Sequence, residues 1–206
     1  PTAAPRSRHT VPRPPAVNAL AAIADRPEAA AGGAAVVSAD DRCVLLLDAY
    51  PKARAHALVV ARAPCLGGPL DLAAADAPLV RHMAAVGRAW AAARADAPDG
   101  FRLGFHAAPS MRRLHLHVVS RDLDAPALKT RHHWNSFTLP EFFLDVGAVL
   151  AALEGPTGAL AYDPAAAEAA ARAAPLRCHR CGAGAASMPA LKAHVGACAA
   201  PLRPLG

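Results

Sequence analysis

His115-Leu116-His117-Val118-Val119 is the stretch on which the reading of this chain turns. Successive side chains of a strand point to opposite faces. Arg113, His115 and His117 therefore share one face, and Leu114, Leu116 and Val118 share the other. The apolar set asks for a core and the imidazole set for a ligand. Two imidazoles side by side on a rigid strand suit phosphate chemistry: one attacks phosphorus as a neutral nucleophile while its protonated neighbour steadies the anionic oxygens. The same spacing also chelates zinc, and His-x-His on a half-buried strand is often structural. The neighbourhood favours phosphate. Upstream, Phe101, Leu103 and Phe105 alternate with Arg102, Gly104 and His106, and the link Ala108-Pro109-Ser110-Met111-Arg112 closes a hairpin that brings His106 and Ser110 near the same polar face. No carboxylate in this stretch completes a His-His-carboxylate metal triad.

Outward from the hairpin, Val36 to Asp48 reads as a strand stopped at Tyr50-Pro51, and His56 to Val60 as its returning partner, with Lys52 and Arg54 in the connection. Val17 to Ile23 resembles a short amphipathic helix. Asp76 caps a helix with Pro78 in its first turn, and Leu79, Met83, Val86 and Trp90 form its buried stripe, leaving Arg81 and His82 in solvent. Downstream, residues 121–135 read as a polar loop carrying Lys129, Arg131, His132 and His133. A helix follows from about Pro140 to Leu153, and Asp163-Pro164 opens an alanine-rich helix that stops before Pro175. Local strands with helices to one side make this an α+β chain. The expected organisation is a basic, proline-rich tail at 1–16, a catalytic domain at 17–154, a connector at 155–174 and a small metal-bound unit at 175–206.

At 206 residues the chain suits one ordinary domain plus an appendage, and its net charge of +6 favours a polyanionic partner such as nucleic acid. Much of the 54% apolar content is alanine, which favours helix and buries little. No apolar run approaches the ~18 residues of a membrane span, and no signal peptide is visible. Five cysteines, three of them near the C-terminus, fit metal binding in a reducing compartment better than a disulfide framework. Cys178-His179-Arg180-Cys181, twelve further residues and then His194 and Cys198 have zinc-finger spacing. Pro189 opens a helix that turns Leu191 inward and sets His194 and Cys198 one turn apart. These four ligands make a closed structural zinc site, without which so few large apolar groups would not fold. His179 reads as a surface residue of the knuckle.

Tyr50-Pro51-Lys52-Ala53-Arg54, Phe105 to Met111, His115 to Ser120, His133-Trp134-Asn135-Ser136-Phe137 and Pro175-Leu176-Arg177-Cys178 follow one another in order. Together, over about residues 17–198, they resemble the aprataxin family, a histidine-triad branch with a C-terminal zinc finger. The resemblance implies a nuclear DNA-repair hydrolase that removes AMP from 5′-adenylated DNA ends left by abortive ligation. His115 would attack the AMP phosphorus, His117 would bind its nonbridging oxygens and His56 would assist proton movement. His106, Ser110 and Met111 would line the phosphate and nucleotide site, with Lys52 nearby. Asp48 would hold the ribose and Leu20 would help clamp adenine. Arg112, Lys129, Arg131, His132, Trp134 and Lys192 would meet DNA. The zinc would be structural, with no catalytic metal expected because the nucleophile is imidazole.

Three positions depart from the family pattern. Arg113 replaces the histidine that usually opens the triad and helps orient the nucleophile. Arginine accepts no hydrogen bond, so it would bind phosphate beside Arg112, and the orienting role would pass to His106 or a backbone carbonyl. Cys198 replaces a common histidine ligand at no chemical cost. Pro15-Ala16-Val17-Asn18 lacks the aromatic that wedges against a DNA end, leaving stacking to Trp134, whose other reading is a core anchor. The rival functions are a hydrolase of small nucleotides and a nucleic-acid-binding module with a decayed site.

Overall fold

The computed structural model of the protein describes residues 19–30 and 35–202; the proline-rich tail and the wedge position lie outside them. Six strands form one antiparallel sheet in the order β1-β2-β3-β5-β4-β6. They are β1 (Val36–Ala39), β2 (Cys43–Leu47), β3 (His56–Ala61), β4 (Phe101–His106), β5 (His115–Ser120) and β6 (Phe143–Asp145). The helices are α1 (Ala19–Asp25), α2 (Ala77–Ala92), α3 (Arg131–Thr138), α4 (Val146–Glu154), α5 (Pro164–Ala173) and α6 (Met188–Ala197). No described helix is long and apolar enough to cross a membrane.

The α+β class and the β4–β5 hairpin are as expected, but helices cover both faces of the sheet. One face buries Leu45, Val59, Leu103, Phe105, Leu116 and Val118 beneath α2 and α4. On α2 the buried residues are Ala77, Val80, Met83, Ala84 and Gly87, so the expected stripe is rotated, with Leu79, Val86 and Trp90 at its half-buried margin. Small residues set this contact. A Cβ on Gly87 would lie 2.7 Å from Val118 Cγ2, so the helix backbone reaches the sheet there.

Residues 36–48 form a hairpin rather than one strand. Asp40 Oδ1 accepts from the backbone N–H groups of Arg42 and Cys43, each at 2.8 Å, which turns the chain. The expected solvent-facing residues of α2 have partners: His82 Nε2 lies 2.7 Å from Asp40 Oδ2, and Arg81 pairs with Glu154 at 2.5 Å. Downstream, the expected loop contains α3, whose first turn is capped by the Thr130 hydroxyl accepting from His133 N–H at 3.1 Å. The helix expected from Pro140 begins only at Val146, because residues 143–145 pair with β4 as β6. Gly104 makes that pairing possible, since a Cβ there would sit 2.4 Å from the Phe143 ring.

Candidate active site and zinc centre

The second face of the sheet is divided. At one end Leu20 and Ala24 of α1 pack over Val44, Leu46, Leu58 and Val60. At the other, Val119 and Phe143 lie beneath Phe137 of α3 and the C-terminal finger. Between them stand His56 from β3, His106 from β4, and His115 and His117 from β5. The β3–β5 register sets Leu58 opposite His117 and Val60 opposite His115. The His117 ring centroid lies 4.1 Å from that of His106, 5.1 Å from His115 and 5.2 Å from His56. Phe137 meets His56, His106 and His117 edge-on at 4.7–5.4 Å, a wall the sequence reading did not foresee.

Hydrogen bonds to backbone fix the tautomers. His115 Nδ1 lies 2.9 Å from the Arg113 carbonyl, which only accepts, so Nδ1 carries the proton and Nε2 the lone pair. His56 Nδ1 accepts from the Lys52 N–H at 3.2 Å, so its Nε2–H donates to His117 Nδ1 at 3.0 Å. His117 is left with a proton on Nε2, a buried atom with no partner among the described residues; His106 Nε2 is another. On β5, His115 thus presents a lone pair on Nε2 and His117, beside it, an unmatched N–H donor.

Burial keeps these rings neutral. It lowers His56 to about 4, and it sets His106 and His117 well below the ordinary imidazole range, with neighbouring imidazoles adding to the effect. Burial also lowers His115, opposed by its bond to the Arg113 carbonyl and by the Asp48 carboxylate. The protonated neighbour expected for the nucleophile is therefore corrected to a neutral N–H donor.

Several expected site residues sit differently from the sequence reading. Asp48 Oδ1 accepts from Tyr50 N–H at 2.7 Å, and Oδ2 lies 3.5 Å from His56 Nδ1. A carboxylate missing from the local sequence thus arrives from the residue just after β2, and Asp48, His56 and His117 bring donor atoms within 4.8 Å of one another. Lys52, half-buried and lowered mainly by desolvation, turns its ammonium to the Tyr50 carbonyl. Arg113 is not a phosphate ligand at the mouth. It is buried, and its guanidinium donates to the Arg62 carbonyl at 2.9 Å and to Asp25 Oδ1 at 2.8 Å. Leu20, 3% exposed, is committed to the core beneath α1 rather than open to a base. Ser110, Met111 and Arg112 are exposed and line a cleft of about 560 Å³ with Gly67, His132 and Arg172.

The motif on α3 is a structural hub. Trp134 is 1% exposed and donates its indole N–H to the Arg177 carbonyl at 2.9 Å. No ring face remains for stacking on a base pair, and the expected DNA contact is corrected to an anchor for the finger. Asn135 Nδ2 donates to the carbonyls of Ala171 and Ala174, holding α5. His132 pairs with Glu168 at 3.0 Å, and Glu168 also takes Arg172. Lys129 and Arg131 are exposed. Lys192, expected on DNA, instead donates to the Ala125 carbonyl at 2.7 Å, tying the finger to the loop before α3.

In the finger, Cys178, Cys181, His194 and Cys198 bring donor atoms within 4.8 Å of one another. Tetrahedral zinc with thiolate bonds needs ligand atoms roughly 3.8 Å apart, so the set fits a structural zinc ion. The Ala183 N–H and the His194 ring hold the Cys181 thiol down to about 6, favouring thiolate. Leu191 turns inward as expected and is fully buried. His179 is not a surface residue: it is 7% exposed, with Nε2 2.9 Å from the Arg121 carbonyl. Leu176, Cys178, Met188 and Leu191 share one core with Val119, Trp134, Phe137 and Phe143.

Two family models match the chain. The scavenger mRNA decapping enzyme C-terminal binding domain matches residues 21–133, more than half of the sequence, and a C2HE/C2H2/C2HC zinc-binding finger matches residues 140–199. Among curated relatives, aprataxin of Gallus gallus is 40% identical over 76% of this chain and 48% of its own length. Aprataxin of Ciona intestinalis is 36% identical over 79% and 42%. The Arabidopsis thaliana transcription factor bHLH140 is 41% identical over 77% and 17%. The chain thus spans less than half the length of these relatives. Among solved structures, the aprataxin ortholog Hnt3 in complex with DNA superposes with a TM-score of 0.70 at 28% identity, covering 87% of this chain and 92% of that one. Hnt3 from Schizosaccharomyces pombe gives 0.67 at 29% identity, covering 85% and 88%. The antiparallel sheet bearing its histidine pair, the cysteine-rich finger packed on the same core and these matches together place the chain in the aprataxin family of histidine-triad proteins.

Proposed function

We propose that this protein releases AMP from 5′-adenylated DNA ends through a covalent adenylyl-histidine. The observation that carries the reading is the tautomer pattern: a His115 Nε2 lone pair beside a buried, unmatched His117 Nε2–H. His115 Nε2 attacks the AMP phosphorus, a nitrogen–phosphorus bond forms, and the bond to the oxygen of the DNA 5′-phosphate breaks. That phosphate is a good leaving group, so positioning and charge stabilisation supply most of the rate. His117 donates to a nonbridging oxygen, and His56 keeps it in that tautomer. Water then cleaves the nitrogen–phosphorus bond, giving AMP and restoring His115. The nucleophile is imidazole, so the chemistry calls for no catalytic metal, and zinc has a structural role.

DNA as the substrate is supported by the Hnt3 relatives, one solved with DNA and another with DNA and guanosine, by Arg112 in the lining of the cleft and by the exposed cations Lys129 and Arg131. A repair role implies work in the nucleus. The test is AMP release from a nicked duplex carrying a 5′-adenylate, with His115→Ala in parallel and free dinucleoside polyphosphate as a competing substrate. Release by the wild type, preference for DNA and a loss of at least about 10³-fold in the variant are expected. DNA binding without release by either protein would overturn the enzyme reading. Preference for the free nucleotide would overturn the substrate.

A further inference from the structure

Arg113 has φ +91°, a backbone conformation that side-chain-bearing residues rarely adopt. It lies two residues before the first residue of β5, and the same residue supplies the carbonyl 2.9 Å from His115 Nδ1. Its side chain is pinned at two points, the Arg62 carbonyl beyond β3 and the Asp25 carboxylate at the end of α1. The pin is 6% exposed, whereas Asp25 is largely open to solvent. Strain at 113 and the orientation of the nucleophile are therefore features of one residue.

We propose that Arg113 is a positioning residue whose guanidinium, held by Asp25 and the Arg62 carbonyl, stabilises the left-handed backbone that aims its own carbonyl at His115. The side chain acts through the main chain: it keeps the proton on His115 Nδ1 and the lone pair on Nε2. It also ties α1 to the root of the triad strand. This rests on His115 as the nucleophile.

Glycine adopts positive φ without a Cβ penalty and alanine does not, so Arg113→Gly and Arg113→Ala separate the backbone role from a direct charge on phosphate. The measurement is the ¹⁵N spectrum of His115, which reads its tautomer without turnover, together with kcat and KM on the adenylated nick. A single Nδ1–H tautomer is expected for the wild type and mixed tautomers for Arg113→Ala, with kcat about tenfold lower and KM within threefold. Arg113→Gly should lose several-fold less kcat than Arg113→Ala, and Arg113→Lys should recover part of the loss by restoring the contact with Asp25. Should Arg113→Ala fail to fold, Asp25→Ala removes one pin and should shift the tautomer in the same direction. Equal losses in glycine and alanine variants, or an unchanged His115 tautomer in Arg113→Ala, would overturn the proposal. Absence of turnover in the wild type would sink the deadenylase reading alone, since the tautomer spectrum still decides this one.

Discussion

The histidine cluster and the cysteine knuckle are both sets of four donors, yet opposite means hold them. The four imidazoles stand on β3, β4 and β5, whose ladder would form with other side chains in their place. The knuckle stands on short segments that contribute Leu176, Cys178, Met188 and Leu191 to a core they share with α3. One site is borrowed from a sheet, while the other helps make the structure it occupies. Loss of a donor should therefore cost activity in the first and stability in the second.

The largest effect that tests this contrast is Cys178→Ser, or removal of zinc by a chelator. Structural zinc binding is worth on the order of 10 kcal/mol, and the finger's core is continuous with Trp134 and Phe137. Loss of about 5 kcal/mol or more in a single unfolding transition is expected in chemical denaturation. His115→Ala should stay within about 1 kcal/mol of the wild type, because truncating it removes a buried polar ring along with its packing. Two separate transitions after zinc removal would break the comparison, since the finger would then be an independent appendage.

Trp134→Ala comes next. Deleting a buried indole typically costs about 3–5 kcal/mol, and here it also frees the Arg177 carbonyl. Trp134→Phe keeps most of the packing and loses only the N–H bond, for about 1 kcal/mol. The melting temperatures of the two variants, and DNA affinity measured well below melting, sharpen the contrast. Affinity preserved in both variants fits an anchor, whereas affinity lost in Trp134→Phe would return the ring to the DNA surface.

The pH response probes the other site. Folding lowers His56 from 6.5 to about 4, so the unfolded chain takes up protons first. Stability is then complete above about pH 6.5 and is lost as pH falls towards 4, by roughly 3 kcal/mol from this group alone. His106, His115 and His117 shift in the same direction. Urea titrations at pH 7.5, 6 and 5 should show the decline, and His56→Gln should make it shallower, the other three histidines keeping the rest. A level profile would mean that the cluster is already charged and the tautomer relay does not exist.

What the sequence made legible follows from how local each signal is. The alternation around His115 and His117, the hairpin through His106 and the zinc ligands are short-range patterns, and all appear in the fold. The partner of Arg113 is 88 residues away on α1, and no periodicity points to Asp25. The helix bearing Trp134 opens within a run of Lys, Thr, Arg and His that reads as loop; only burial of Trp134 and Phe137 against the finger makes it a packed helix. Phe142-Phe143-Leu144 is too short and too uniformly apolar to separate strand from helix, and the gap over Gly104 settles it. Asp48 shows the same limit within the site, because the carboxylate that completes a donor set with His56 and His117 is remote from the strand that bears the triad.

The smallest expected effect separates two kinds of basic residue on the finger side. Lys192 is half-buried with its ammonium on the Ala125 carbonyl, whereas Lys129 and Arg131 are exposed. A cation already satisfied by a carbonyl releases no counterion when DNA arrives. Lys192→Ala should cost about 1 kcal/mol of stability and leave the salt dependence of DNA binding unchanged. Lys129→Ala or Arg131→Ala should leave stability within about 0.5 kcal/mol and lower the slope of log Kd against log salt by about one. Titrating a labelled nick at several salt concentrations measures both. A slope change for Lys192→Ala would mean that the finger lets go of Ala125 to bind DNA, and the knuckle would then be part of the working surface as well as of the structure.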